Sequence, residues 1–410
     1  MPSPAVYRRR RQVVFGGASV IILATIYAVT TLVAPLPAAA ITLSPSFNDA
    51  PALTQSPAAL VMPGFGESAI AAEGYGTLAT DGPQDQVPIA SITKTITALV
   101  VLDAKPLTDA ADPGPTVMFT QSDVEILRQT QAEYGSFGLL PDTMQLSEKD
   151  ALTMMLMASA NNYAESLATW AYGSVDAYLA AANAWLAEQS LTGTIVDDTS
   201  GISSGSRSTP ADMLIIGSLV MKNASLAEIV GTQTTEIPGV GSVSSTNGLL
   251  GDSGVNGIKT GTTVDAGATL LYSAIVPVGT ASVHVIGVVL GAETHAQLDA
   301  AVRALLSSVQ ASFHEVVVTT ADEYIGDALT RWGTSARVAA TQSVTRLVFS
   351  DTPITITTAL TPVTTGAAGT PVGSLTITIG GESITVALAL SSPLEDPGPG
   401  WRLTHAGELF

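Results

Sequence analysis

The chain has 410 residues, 46% hydrophobic and 12% charged, with a formal net charge of -19 and a pI near 4.4. That apolar fraction suffices for one large domain with a smaller companion. The acidic balance argues against nucleic acid as a partner, because phosphate binding needs clustered Lys and Arg, and the absence of cysteine excludes disulfides, thiolate metal sites and thiol nucleophiles.

In chain order, residues 1–12 form a basic segment whose four consecutive arginines, Arg8 to Arg11, are the chain's basic cluster. Val13 to Ala34 then runs for 22 residues without a charge, long enough to span a bilayer as a helix. Positive charge ahead of the run keeps residues 1–12 on the cytoplasmic side and exports the rest of the chain. Residues 13–35 are therefore a signal peptide or a transmembrane anchor. Leu36-Pro37-Ala38-Ala39-Ala40 offers an Ala-x-Ala cleavage site. Both fates fit, so the protein is extracytoplasmic and either anchored in the cell membrane or secreted. Residues 36–60, rich in Pro, Ala and Ser, read as a linker.

Residues 61–313 mix strand and helix signals. Ser68–Leu78 reads as a strand pair around a glycine-containing turn. Ser91–Asp103 reads as a helix with Ile92, Ile96, Leu99 and Val100 on one face. Helices are also expected at Asp150–Ala158, Asn162–Tyr172 and Val175–Gln189. Thr209-Pro210 places a capping residue before a proline, so Pro210–Lys222 should be helical. Ile258–Gly261, Ala268–Ile275 and Ser282–Leu290 read as consecutive strands, and Thr294–Ser312 as an amphipathic helix. Helices around sequential strands favour a mixed domain, α/β in the α+β sense, with an antiparallel sheet. From 314 to 394 Thr, Val, Ser and Gly dominate, and alternation over Glu315–Thr320, Val344–Phe349, Ile354–Thr358, Ser374–Ile379 and Ser383–Ala389 predicts a small all-β domain. Residues 395–410, opening on Glu395-Asp396-Pro397-Gly398-Pro399-Gly400, read as a tail.

Three short motifs suggest chemistry. In Ser91-Ile92-Thr93-Lys94, positions i and i+3 share a helix face, so the lysine amine can reach the serine hydroxyl. A neutral Lys94 could take the Ser91 proton if desolvation or a neighbouring cation lowers its pKa. Alone, the motif is matched as well by a helix cap beside a solvated lysine. Ser159-Ala160-Asn161 sits where a helix breaks, and Lys259-Thr260-Gly261 opens the strand series. The ordered set S-x-x-K, S-x-N, K-T-G is shared by penicillin-binding proteins and class A β-lactamases.

With its flanks Pro88-Ile89-Ala90, Asn162 and Asn256-Gly257-Ile258, the chain resembles the low-molecular-mass penicillin-binding proteins of the serine-type D-alanyl-D-alanine carboxypeptidase family over residues 61–313. The resemblance implies a β-lactamase/transpeptidase-like domain with an antiparallel sheet, flanking helices and an all-helical part. Residues 314–394 resemble, more weakly, that family's C-terminal domain. It implies catalytic Ser91 as acylating nucleophile, Lys94 as its base, Ser159 as proton relay, and Asn161 holding the substrate amide or Lys94. Lys259 would bind near the substrate carboxylate and lower the Lys94 pKa. Thr260 would bond the carboxylate, and Gly261 would clear room for an extended substrate. Thr262, with Ser91, would supply the oxyanion-hole N–H groups. The implied partners are a peptidoglycan stem peptide ending in D-Ala-D-Ala, β-lactams as covalent inhibitors, and the membrane through the N-terminal segment. No metal or cofactor is implied. Ala160 departs from the family's glycine and suggests a slightly different loop, since alanine lacks glycine's freedom at positive φ.

Gly201-Ile202-Ser203-Ser204-Gly205 matches the G-x-S-x-G elbow, but that motif requires a strand before it and a helix after it. A class A-like β-lactamase needs an E-x-x-x-N pattern downstream, and Glu188 is followed by Thr192 instead. The four histidines, His284, His295, His314 and His405, form no H-E-x-x-H pair. A DD-endopeptidase and a catalytically retired cell-wall scaffold are the remaining alternatives.

Overall fold

A computed structural model describes residues 4–48, 59–349 and 352–410. The chain divides into two compact units: Ala58–His314, and Met1–Pro57 together with Glu315–Phe410.

In the larger unit, five antiparallel strands form a sheet in the order Val255–Thr263, Gly267–Val278, Ala281–Ala292, Glu67–Ala72, Gly76–Asp81. The strand that carries Lys259 to Thr262 is therefore an edge strand, with one side not used by another strand. Its neighbours are buried on both faces, as a sheet covered by helices on each side requires. Ile258, Leu271 and Val288 join a core with Ile92, Ile96 of the helix Thr93–Ala104, Leu152 and Met155 of Glu148–Met157, and Met213 and Ile216 of Pro210–Lys222. Leu298, Val302, Leu305 and Val309 of His295–Ser312 are buried outside that cluster, and their helix packs on the two strands after the edge strand. Caps set the helix starts. Thr209 accepts from Asp212 N–H ahead of Pro210, and Thr294 accepts from Gln297 N–H. Helices at Gln121–Ala132 and Ala224–Gly231 add to those expected from the sequence.

In the other unit, six strands follow the order Ala40–Leu43, Tyr324–Leu329, Ser335–Ala340, Glu382–Leu390, Pro371–Ile379, Ile354–Leu360. Phe313–Thr319 and Val344–Phe349 form a separate pair. Val338, Val372, Leu375, Ile377, Val386 and Leu388 make the core. Two sequence expectations are corrected here. The stretch 36–60 is not wholly linker: Ala40–Leu43 pairs with Tyr324–Leu329 and Pro45–Asn48 is a helical turn, because Ile41 and Leu43 pack on the β core. Residues 49–58 of that linker lie outside the described residues. The tail also contains a helix, Gly398–Thr404, led by Pro397 and Pro399, since proline is tolerated in a first turn. All but the last residue of the uncharged run 13–34 lies within one 30-residue helix, Pro4–Val33.

Candidate active site

Ser91 lies in a 3₁₀ turn, Ala90–Ile92, rather than in the α-helix, which begins at Thr93. The turn is held by Ile89, Ile92 and Ile96, all fully buried, and Ala90 adopts a φ of 48°. Ser91 makes no cap. Its hydroxyl instead receives a 2.8 Å hydrogen bond from Lys94 Nζ. Lys94 is completely buried, and its second hydrogen bond, also 2.8 Å, goes to the Ser200 carbonyl. Neither partner is an anion. Loss of water therefore pushes the Lys94 pKa well below its ordinary value, the Lys259 charge lowers it further, and Asp198 opposes both.

The helix Glu148–Met157 ends at Ala158, and the chain turns sharply through Ser159, which has a φ of 56°. Ala160 is ordinary, with φ -70° and ψ 113°. The expected effect of Ala160 is thus corrected: the left-handed residue is Ser159, so position 160 has no need of glycine's freedom. Asn161 opens the next helix, Asn161–Tyr172, and its backbone N–H donates to the Ser136 carbonyl. Ser159 and Asn161 are 6% and 8% exposed, and Asn161 Oδ1 has no hydrogen-bond partner among the described residues.

Lys259 is also buried, at 1% exposure, and donates to the Thr260 carbonyl at 2.8 Å. Burial brings its pKa down to about 7. Burial thus shifts both lysines toward the neutral amine. The Gly261 expectation is corrected. A Cβ at 261 would meet Ser91 N and Ala90 Cβ at 2.9 Å and Thr269 Oγ1 at 2.6 Å. Glycine there lets the strand approach the Ser91 turn, and the space it clears lies on the protein side. Thr262 is exposed and hydrogen-bonds His295 Nε2 through its hydroxyl at 2.7 Å.

Thr246 joins two of the motifs. Its N–H donates to the carbonyl of Met157, two residues before Ser159, and its hydroxyl bonds that of Thr260 at 2.7 Å. Nothing local in the sequence marks Thr246.

The G-x-S-x-G match has neither the strand nor the helix it needs. Ser203 is tied to Asp197 at 2.6 Å. The loop nevertheless belongs to the site, through residues beside the motif's serine. Asp198 Oδ2 accepts from Ser200 N and Oγ, Gly201 N and Ile202 N at 2.8 to 3.2 Å. Its Oδ1 accepts from Ser206 Oγ at 2.5 Å. This web aims the Ser200 carbonyl at Lys94 and the Thr199 carbonyl at Thr97 Oγ1, 2.7 Å away. Gly201, at φ 83°, lies so near the Ser91 turn that a Cβ would fall 1.8 Å from the Ala90 carbonyl oxygen. Asp198 is thus a positioning residue, marked in the sequence only by an Asp-Asp pair before a Gly/Ser loop. A cavity of about 320 Å³ beside the site is lined by Asn161, Glu133, Glu165, Asp197, Asp198 and Ser200, among others. Among the described residues, no group of three His, Asp or Glu side chains is placed to hold a metal ion.

The D-alanyl-D-alanine carboxypeptidase family, peptidase S11, matches residues 68–294, more than half of the chain. The chain belongs to this family. Solved structures of penicillin-binding proteins and a DD-transpeptidase share its fold. Penicillin-binding protein 5 from Haemophilus influenzae is 20% identical with a TM-score of 0.56, covering 83% of this chain and 99% of that one. The Streptomyces K15 DD-transpeptidase is 25% identical with a TM-score of 0.53, covering 62% and 98%. A D-alanyl-D-alanine endopeptidase of Pseudomonas aeruginosa is 34% identical over 131 residues, which is 32% of this chain and 39% of the relative. The match thus spans about two fifths of that curated relative. Within the S11 match lie all three motifs, Asp198 and Thr246.

Proposed function

We propose that the chain is an exported serine carboxypeptidase that removes the terminal D-Ala from peptidoglycan stem peptides. The observation that carries this reading is the pair Ser91–Lys94: a hydroxyl 2.8 Å from the amine of a fully buried lysine that has no anionic hydrogen-bond partner. Such an amine can stay neutral at neutral pH and accept the serine proton.

Ser91 Oγ attacks the carbonyl carbon of the penultimate D-Ala as its proton passes to Lys94 Nζ. The N–H groups of Ser91 and Thr262 receive the developing oxyanion. The C–N bond breaks, and the departing D-Ala amine takes a proton delivered from Lys94 through Ser159. Asn161, with an unpartnered Oδ1, accepts from the substrate amide. Lys259 and Thr260 hold the terminal carboxylate. Water then hydrolyses the ester on Ser91 and returns the hydroxyl. β-Lactams acylate the same Ser91 hydroxyl as the ring C–N bond opens, the ring amine staying attached, and this ester is released slowly, since the chain has no E-x-x-x-N pattern to activate water.

A second reading, DD-endopeptidase, is favoured by the name of the curated relatives. Both use the same acyl-enzyme and differ in the leaving amine. The test is D-Ala release from a D-Ala-D-Ala pentapeptide, in parallel with cleavage of a cross-linked muropeptide dimer, for wild type and Ser91→Ala. D-Ala release that vanishes with Ser91→Ala supports the proposal. Cleavage of the dimer alone selects the endopeptidase. Equal turnover by both proteins overturns the assignment of Ser91.

A further inference from the structure

The sequence leaves two fates open for the N-terminal run: removal as a signal peptide or retention as an anchor. The structure bears on this through residues at the far end of the chain. Within Ala5–Val33 the most apolar 18-residue window has a mean hydropathy of 2.1, and that window is 0% buried among the described residues. A surface of that length and polarity, uncovered by protein, fits acyl chains. Its last turn is different. Thr31 and Ala34 are 1% and 6% exposed while Val33 between them is 77% exposed, so one side of the helix end is covered.

What covers it is the tail. Arg402 Nη1 donates to the Ala34 carbonyl at 2.8 Å and to the Leu32 carbonyl at 3.4 Å. These are among the last carbonyls of a helix, which lack partners within it, and a cation there is favoured by the helix dipole. The same guanidinium is held by Asp396 at 2.9 Å, and the Arg402 side chain is only 15% exposed. One turn and a half deeper, Tyr27 Oη donates to the Leu403 carbonyl at 2.7 Å. The tail is braced by Trp332, whose Nε1 donates to the Glu395 carbonyl and whose ring meets Trp401 edge-on at 5.6 Å. His405 stacks on Trp401. Tryptophans so placed suit a membrane–water boundary.

The candidate cleavage site is consumed by the fold. Ala39 is buried and donates its N–H to the Val363 carbonyl at 2.7 Å, and Ala40 begins the strand paired with Tyr324–Leu329. Cleavage after Ala40 would remove both. It would also strip Arg402 of its two carbonyl partners.

We propose that the N-terminal helix is retained in the mature protein as a membrane anchor, and that residues 395–410 form a clasp that closes on its outer end. The β-rich unit is then tied to the bilayer surface by the helix Pro4–Val33 and by residues 395–410 together. This inference is independent of the catalytic reading.

The test uses the full chain, exported in a bacterial host. The N-terminus and intact mass are determined on carbonate-washed membranes and on the supernatant. Retention predicts a chain close to 41.8 kDa in the membranes; a protein beginning at Ile41 in either fraction overturns the proposal. The clasp is tested separately with a photo-crosslinking benzoylphenylalanine at Tyr27. Adducts mapping within residues 395–410 are expected, and a membrane-anchored protein without such adducts overturns the clasp. Adding Arg402→Ala should cut the adduct yield about tenfold, as expected for losing a charged hydrogen-bonding group, while penicillin labelling at Ser91 reports that the protein is folded. An unchanged yield in labelled protein overturns the role of Arg402.

Discussion

Replacing Asp198 with Asn tests the site at a residue that touches no substrate. Ser206 Oγ already accepts from Asp197 N–H and Asp198 N–H, so only its hydrogen is free to bond Asp198 Oδ1. Oδ2 faces three backbone N–H groups and the Ser200 hydroxyl. An asparagine must point its NH₂ at one side or the other, and both sides are donors. At least one charge-assisted bond is lost and the rest weaken. A hydrogen bond to a charged group is worth about 1.5–3 kcal/mol. At roughly 2–4 °C per kcal/mol for a domain of this size, Tm should fall by roughly 6 °C. The Ser200 carbonyl loses its anchor, and a shift near 1 Å in a catalytic group can cost on the order of 100-fold in rate. Benzylpenicillin acylation, followed by stopped flow and intact mass, should slow by about that factor at saturating inhibitor. Loss of the Asp198 charge also removes the influence that raises the Lys94 pKa. The rising limb of the acylation–pH profile should therefore move to lower pH, which a loss of stability alone would not cause. A variant with wild-type acylation and an unmoved profile would refute the role given to Asp198.

Gly261→Ala forces a Cβ against Ser91 N and Ala90 Cβ; we expect a destabilisation of about 1–3 kcal/mol in thermal melts and acylation slowed on the order of 100-fold. In wild type, acylation should rise with pH as Lys94 loses its proton and fall as Lys259 loses its own near pH 7. Lys259→Met removes one of the two causes that depress Lys94, so its rising limb should shift to higher pH and its KM for a carboxylate-bearing peptide should increase. Glu148 is fully buried, its carboxylate oxygens have no hydrogen-bond partner among the described residues, and burial raises its pKa to about 7 from an ordinary 4.5. The folded state binds its proton more tightly than the unfolded chain, so this contribution is complete below about pH 4.5 and is lost as pH rises to about 7. Glu148→Gln should gain Tm relative to wild type across that window and stay ahead above it; parallel curves would refute the assignment.

The elements readable in the sequence are those with local causes. The helix Pro210–Lys222 follows from a threonine cap and an N1 proline, and its bounds agree with the structure. Of the three late strands, Ser282–Leu290 is the most plainly marked, by its valines and isoleucine. Tyr324–Leu329 is not readable, because Gly326 and Asp327 are poor strand residues, and its place comes from neighbours on both sides. Ala40–Leu43 reads as linker because four residues carry no periodicity; its partner lies nearly 300 positions away.

The site divides in the same way. Ser91 and Lys94 are three residues apart, so a helical turn alone brings them together, and residue types at fixed spacing name them. The left-handed Ser159, the use of Gly261 against the Ser91 turn, the bridge at Thr246 and the web on Asp198 depend on segments far apart in the chain. So does the property on which the chemistry rests. No spacing can state that Lys94 is dry, because desolvation is a sum over everything packed around it: the isoleucines of its own turn, the loop at Ser200, and a second buried lysine from the edge strand. The sequence determined which groups are available to react; burial, which only the folded chain creates, decided their protonation.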